Sequence, residues 1–205
     1  MPRLSRAESK NLTRSRLRQA AREIIASRGY AGASVDVITE KAGFSRGAFY
    51  SNYKSKDELF LELLDDYFTR ERGSLERAVQ AAGREPDAIL DAVGSIYAQW
   101  REDLSWPILT TEFFLHALRD AAFRREFLDR YDRHRTEVSK LLATYLELAG
   151  ADASRAPEYT PMLMGMALGY ALQAETQPKA FKDRPFGDAI VSFIRMAASD
   201  QSRGE

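Results

Sequence analysis

The chain contains no cysteine, which excludes disulfide staples and thiolate metal sites. Histidine is nearly as scarce, with His116 and His134 the two present. No Ser-His-Asp arrangement, P-loop, dinucleotide fingerprint or zinc motif occurs, so an enzyme is not expected and no cofactor is called for. Long apolar runs are missing too. The longest, MLMGMALGYAL at 162–172, has eleven residues and two glycines, too short to span a bilayer. The opening stretch MPRLSRAESK is charged and lacks the apolar core of a signal peptide. A soluble, cytoplasmic protein with no membrane partner is the expectation.

What is present is a globular composition: 205 residues, 44% hydrophobic and 11% aromatic, enough for one or two domains with a core. The net charge of zero hides an asymmetry. Residues 1–56 hold twelve Lys/Arg against four Asp/Glu, a surplus of eight, and the remainder carries the opposite balance. A basic end on an acidic body points to a polyanion partner at that end alone.

Apolar residues recur at three-to-four spacing throughout and nothing alternates like a strand, so the fold class is all-α with about nine helices. The first runs from about Thr13 to Arg28, its buried stripe Leu17, Ala20, Ala21, Ile24 and Ile25, and Gly29 supplies the positive φ that ends it. Ser34 caps a short second helix that stops at Gly43. Ser45 caps a third, expected from Arg46 to Tyr53, and the pair forms a helix-turn-helix. Ser55-Lys56-Asp57-Glu58 reads as a capping box for a long fourth helix. Five more follow, from Pro86, Ser105, Ala121, Pro157 and Pro185. Residues 1–56 are expected to form a basic helix-turn-helix domain for a polyanion, with 1–10 a flexible basic arm, and residues 57–205 a separate helical body.

On the third helix, at 100° per residue, Phe49 and Tyr53 share a face suited to the core. Gly47, Ala48 and Ser51 lie opposite, small enough for a partner to come close, with Arg46 and Tyr50 flanking them. Arg reaches guanine edges in a major groove, and Tyr can meet a phosphate or a thymine methyl.

The stretch AGFSRGAFYSNYKSKDELF, with GYAGASVDVITEK before it, resembles the helix-turn-helix signature of the tetracycline-repressor (TetR) family of bacterial regulators over residues 13–65. The resemblance implies base or groove contacts from Arg46, Gly47, Ala48, Tyr50 and Ser51. It implies phosphate contacts from Ser34, Ser45, Asn52 and Lys56. Ala48 departs from the pattern where Thr is frequent, Ser51 where a larger His is frequent, and Val37 where an acidic residue usually stands.

The family further implies a homodimer on a palindromic double-stranded DNA operator. Its body binds a small effector, and the usual outcome is release of a repressor. For dimer contacts the sequence offers Met162, Gly165, Gly169, Ile190, Phe193, Ile194 and Ala197. For a pocket suited to a small apolar or aromatic ligand it offers Tyr97, Trp100, Trp106, Phe113, Phe114, Met166 and Tyr170. Core packing is the competing role for both sets. Glu112, His116 and Asp120 share a helix face, but no further ligands accompany them and no metal is expected; His134, between two arginines, reads as a surface residue. Two other functions compete: a DNA-binding regulator governed by a protein partner without a small ligand, and a helical lipid-binding protein or enzyme.

Overall fold

A computed structural model describes residues 5–100, 105–183 and 185–200. Among them the expected all-α architecture is present: α1 (Arg6–Gly32), α2 (Val35–Ala42), α3 (Arg46–Tyr50), α4 (Lys56–Ala82), α5 (Pro86–Trp100), α6 (Ser105–Arg119), α7 (Ala121–Leu148), α8 (Ala156–Thr176) and α9 (Phe186–Ser199). A 3-10 turn, Ala153–Arg155, precedes α8.

The chain divides into two compact units, and the division does not fall after residue 56. The first unit draws on the described residues of Met1–Tyr67 and Ser105–Arg130, the second on those of Phe68–Leu104 and Tyr131–Glu205. The reason is that α6 packs along α1 and brings the fully buried Phe113 against Phe60 of α4. Burying each such side chain contributes about 1.5–3 kcal/mol.

Helix α1 begins at Arg6, not near Thr13. Ser5 Oγ accepts from the Glu8 amide at 3.2 Å, and Glu8 accepts from the Ser5 amide at 2.7 Å, a full capping box. The expected flexible arm is therefore helical from Arg6; residues 1–4 lie outside the described residues. At the other end Gly29 takes φ 69°, a left-handed region that a side chain disfavours. The freed Tyr30 amide donates to Glu112 of α6 at 2.8 Å.

Glu112 and His116 both engage Tyr30, and Asp120 turns to the backbone of α7. Glu112 holds Tyr30, His116 stacks on the Tyr30 ring with centroids 3.8 Å apart, and Asp120 caps the Phe123 amide at 2.8 Å. Burial holds the His116 imidazole below its ordinary value, against the pull of Asp57 and Asp120.

In the second unit α9 lies against α5. Gly187 and Gly94 face each other at that crossing: a Cβ on Gly187 would overlap the Gly94 carbonyl oxygen. Ile190, Ile194 and Ala197, expected at a dimer interface, are instead buried at 2%, 7% and 3% exposure among Leu75, Leu90, Leu146 and Ala156. The α9 stripe is used within its own unit. Phe193 is partly buried beside the same core.

His134 is buried, where the sequence suggests a surface residue. It is 7% exposed, stacks on Phe68 at 3.9 Å, and places Nε2 3.1 Å from the carboxylate of the buried Glu71. Its arginine neighbours in sequence project elsewhere because adjacent residues on a helix point about 100° apart.

Candidate nucleic-acid interface

Three short signals build the helix-turn-helix. Ser34 Oγ accepts from the Val37 amide at 3.3 Å and starts α2. Gly43 takes φ 74° to end it, with its own amide bonded to the Glu40 carbonyl and that of Phe44 to Thr39. Ser45 Oγ then accepts from the Ala48 amide at 3.2 Å and starts α3.

Helix α3 stops at Tyr50, short of the expected Tyr53. Ser51 Oγ donates to the Gly47 carbonyl and Asn52 Nδ2 to that of Ala48, both at 2.8 Å. Side chains thus compete with the backbone for the last carbonyls of the helix. Phe49 and Tyr53 are nonetheless buried to 0% and 1% exposure, as the spacing predicts, while Tyr50 stands 52% exposed.

On the outward face Arg46, Gly47, Tyr50 and Ser51 are exposed and Ala48 is half-buried. The Arg46 guanidinium bonds both carboxylate oxygens of Asp36, at 2.8 and 2.9 Å, with its centre 6.0 Å from the Tyr50 ring. Gly47 faces open space: a Cβ there would meet only Ser45 Oγ, at 3.7 Å. Ser34 and Ser45 are exposed at their helix starts, and Asn52 is half-buried.

Lys56 sits less freely than the sequence suggests. Its ammonium donates to the Tyr30 carbonyl at 3.1 Å and lies 4.1 Å from the centre of the Tyr30 ring. Partial burial lowers its pKa from the ordinary lysine value. The expected capping box of α4 is also altered. Ser55 accepts from the Glu58 amide at 3.1 Å, but Glu58 reaches one residue further back, to the Lys54 amide at 2.6 Å.

A supporting network escaped sequence reasoning. Arg14 bonds the Asn52 carbonyl at 2.8 Å, lies over the Tyr53 ring at 4.4 Å, and pairs with Glu62. Arg18 pairs with Glu62 and with Asp66. The network ties α1 to α4 and holds the chain segment that leaves α3. Its trace in sequence is two i, i+4 pairs of opposite charge, Arg14/Arg18 and Glu62/Asp66. Such pairs are too common on helix surfaces to single out.

Residues 17–63, which run from the first buried leucine of α1 into α4, match the family described as "Bacterial regulatory proteins, tetR family". That segment is similar to the helix-turn-helix part of TetR-family regulators. The match is to regulators and not to an enzyme family. A relative from Bacillus subtilis, the uncharacterized HTH-type transcriptional regulator YdgC, is 33% identical over 95 residues, covering 44% of this chain and 49% of that protein. The chain thus spans about half the length of that curated relative.

Solved structures agree on the fold. A transcriptional regulator from Rhodococcus sp. Rha1 superposes with a TM-score of 0.72 at 21% identity, over 90% of this chain and 95% of that one. FadR from Bacillus subtilis, solved in complex with stearoyl-CoA, superposes with a TM-score of 0.68 at 15% identity, over 92% and 99%.

The chain also has a largely aliphatic cavity of about 60 Å³ in its second unit, with Leu75, Ile89, Leu90, Tyr97, Leu142 and Ile190 among its walls. Of the aromatic set expected at a pocket, Tyr97 alone lines this cavity. Trp106 stacks on Tyr67, Phe113 is fully buried, and Phe114 packs on Phe127, all within the first unit. Met166 borders the second unit's core, and Tyr170 packs against Phe181 and Phe186. The Trp100 side chain lies outside the described residues. An open groove of about 510 Å³ runs beside α7 and α8. Its cations Arg135 and Lys140 are paired with Asp132 and Glu137 on their own helix.

Proposed function

We propose that this chain is a sequence-specific DNA-binding transcriptional regulator of the TetR family. It acts as a homodimer on a palindromic operator, represses transcription, and releases DNA when a small apolar or aromatic ligand occupies its second unit. The exposed face of α3 carries the reading: small residues Gly47, Ala48 and Ser51 between Arg46 and Tyr50. Such a face is low enough to enter a groove and bears one side chain suited to guanine. Phosphates are then met by Ser34, Ser45, Asn52 and Lys56. A symmetric dimer reads two half-sites about 34–36 Å apart. Footprinting of the DNA upstream of its own gene tests the reading; no protected palindrome there would remove it.

Arg46 and Lys56 separate base from phosphate contacts. Arg46→Ala is expected to cost about 1–3 kcal/mol of binding and to relax preference at one base pair. Lys56→Ala is expected to weaken binding to all sequences alike and to lower the salt slope by about one. Because Lys56 also holds Tyr30, thermal melting is measured in parallel. A lower melting temperature with an unchanged slope would assign Lys56 to the fold alone.

Dimerisation is supported by what α8 and α9 leave uncovered. Met162 and Met196 are 52% and 59% exposed, and a Cβ at Gly165 or Gly169 would meet nothing within 4 Å. Apolar and small residues of this kind let another helix approach. Met162→Glu is expected to convert a dimer into a 23.2 kDa monomer in sedimentation. A wild-type protein that sediments as a monomer at micromolar concentration would contradict the dimer.

Ligand response is supported by the aliphatic cavity and by the stearoyl-CoA held by FadR of Bacillus subtilis. Cavity residues Leu75 and Val79 sit on α4, the helix whose first turn carries Lys56 and Glu58.

A further inference from the structure

Glu71, Tyr97 and His134 form a buried polar group that reading DNA does not use. Glu71 and His134 are each 7% exposed. The Tyr97 hydroxyl donates to one Glu71 carboxylate oxygen at 2.8 Å, and His134 Nε2 lies 3.1 Å from the other. Burial, followed by the Glu71 charge, pushes the Tyr97 phenol well above its ordinary value, so it stays a donor.

This group adjoins the aliphatic cavity through Tyr97, which is part of the cavity wall and bonds Glu71. Glu71 stands four residues before the wall residue Leu75 on α4, and His134 four before Val138 on α7. Residues four apart lie one turn along the same helix face. An acceptor-rich carboxylate therefore stands one helical turn from Leu75, a wall residue of a cavity whose walls are mostly aliphatic.

A carboxylate has about four lone-pair positions, and two neighbours approach it here. A buried charge is costly without a counter-charge, and His134 supplies one only when protonated. An ammonium group brings the missing charge and three donors. An alcohol brings a donor without charge, and a carboxylate is repelled.

We propose that the cavity takes a small lipophilic amine in its protonated form, with the alkyl body among Leu75, Leu90, Leu142 and Ile190 and the ammonium on Glu71 beside the Tyr97 hydroxyl. The proposal rests on the ligand-releasing reading above and gives that ligand a chemical class. The cavity, at about 60 Å³, is well below the ~150 Å³ that accepts a benzene ring. Short alkyl chains enter first, and longer ones require the Leu and Ile walls to yield.

The test is calorimetric titration of the full chain with n-alkyl amines, alcohols and carboxylates from propyl to octyl at pH 7.5. Release of fluorescent operator DNA is followed with the same compounds and with stearoyl-CoA. At the best length the amine is expected to bind roughly 10- to 100-fold tighter than the alcohol, the margin of a charged over a neutral hydrogen bond. The carboxylate is expected to bind weakest. Glu71→Gln is expected to erase the amine's advantage and keep the alcohol's affinity. Should that variant not fold, the wild-type ranking decides alone. The inference is overturned if the alcohol or carboxylate equals the amine, or if amines of every length fail to bind. Operator release by any other compound then keeps the ligand-responsive reading, whereas release by none removes that reading as well.

Discussion

Gly187→Ala is expected to destabilise the second unit by about 2–3 kcal/mol, the upper range for overpacking a close contact. For a chain of this size that is a fall in melting temperature of about 4–12 °C. The new Cβ would overlap the Gly94 carbonyl oxygen and stand 2.9 Å from its carbon and 3.1 Å from its Cα. These are backbone atoms, so relief requires α5 and α9 to move apart and open the core around Ile190 and Ile194. The reciprocal change is milder. A Cβ on Gly94 meets Val191 Cγ2 at 3.1 Å, a side chain that can turn, and Gly94→Ala is expected to cost about 1 kcal/mol or less. Calorimetric melting of both variants checks the asymmetry, and equal effects would mean the helices do not cross at these glycines.

Gly47→Gln is expected to move stability and DNA binding in opposite directions. Gly47 is not among the positive-φ glycines, and its Cβ direction is open. A good helix former there should gain about 0.5–1 kcal/mol of helix stability, raising the melting temperature slightly. The same side chain projects from the surface proposed to enter the groove, between Arg46 and Ser51. Operator affinity is expected to fall by about 100-fold, because a single misfit at a closely packed contact costs several kcal/mol. Gel shift and thermal melting on one preparation separate the outcomes. Full operator affinity in the Gln variant would mean that this face of α3 does not approach DNA.

Much of the first unit was legible because its signals are local. Ser34, Ser45 and Ser55 cap the helices they precede, and Gly29 and Gly43 adopt the positive φ that their positions demand. The stripe Leu17, Ala20, Ala21, Ile24, Ile25 is buried as its spacing predicts. Ser5-x-x-Glu8 carries the same kind of signal, a capping box inside a segment whose charge suggests a flexible arm.

Across distant segments the sequence was a poorer guide. It offered Gly165 and Gly169 as the glycines of a close helix approach, yet within the chain that role falls to Gly94 and Gly187, 93 residues apart. It spread the aromatic pocket over residues that the structure distributes between two units, and it left His134 on the surface.

By itself, then, the sequence determined the helical class, most of the helix starts, and the helix-turn-helix with its resemblance to TetR-family regulators. Each is decided by a handful of neighbouring residues through capping, φ preference or a 3.6-residue period. Only the tertiary structure decided which apolar stripe serves the chain's own core, which glycines touch, and where a buried carboxylate finds its tyrosine and histidine. A helix face announces that it needs a partner, but the choice among partners depends on the volumes of segments a hundred residues away.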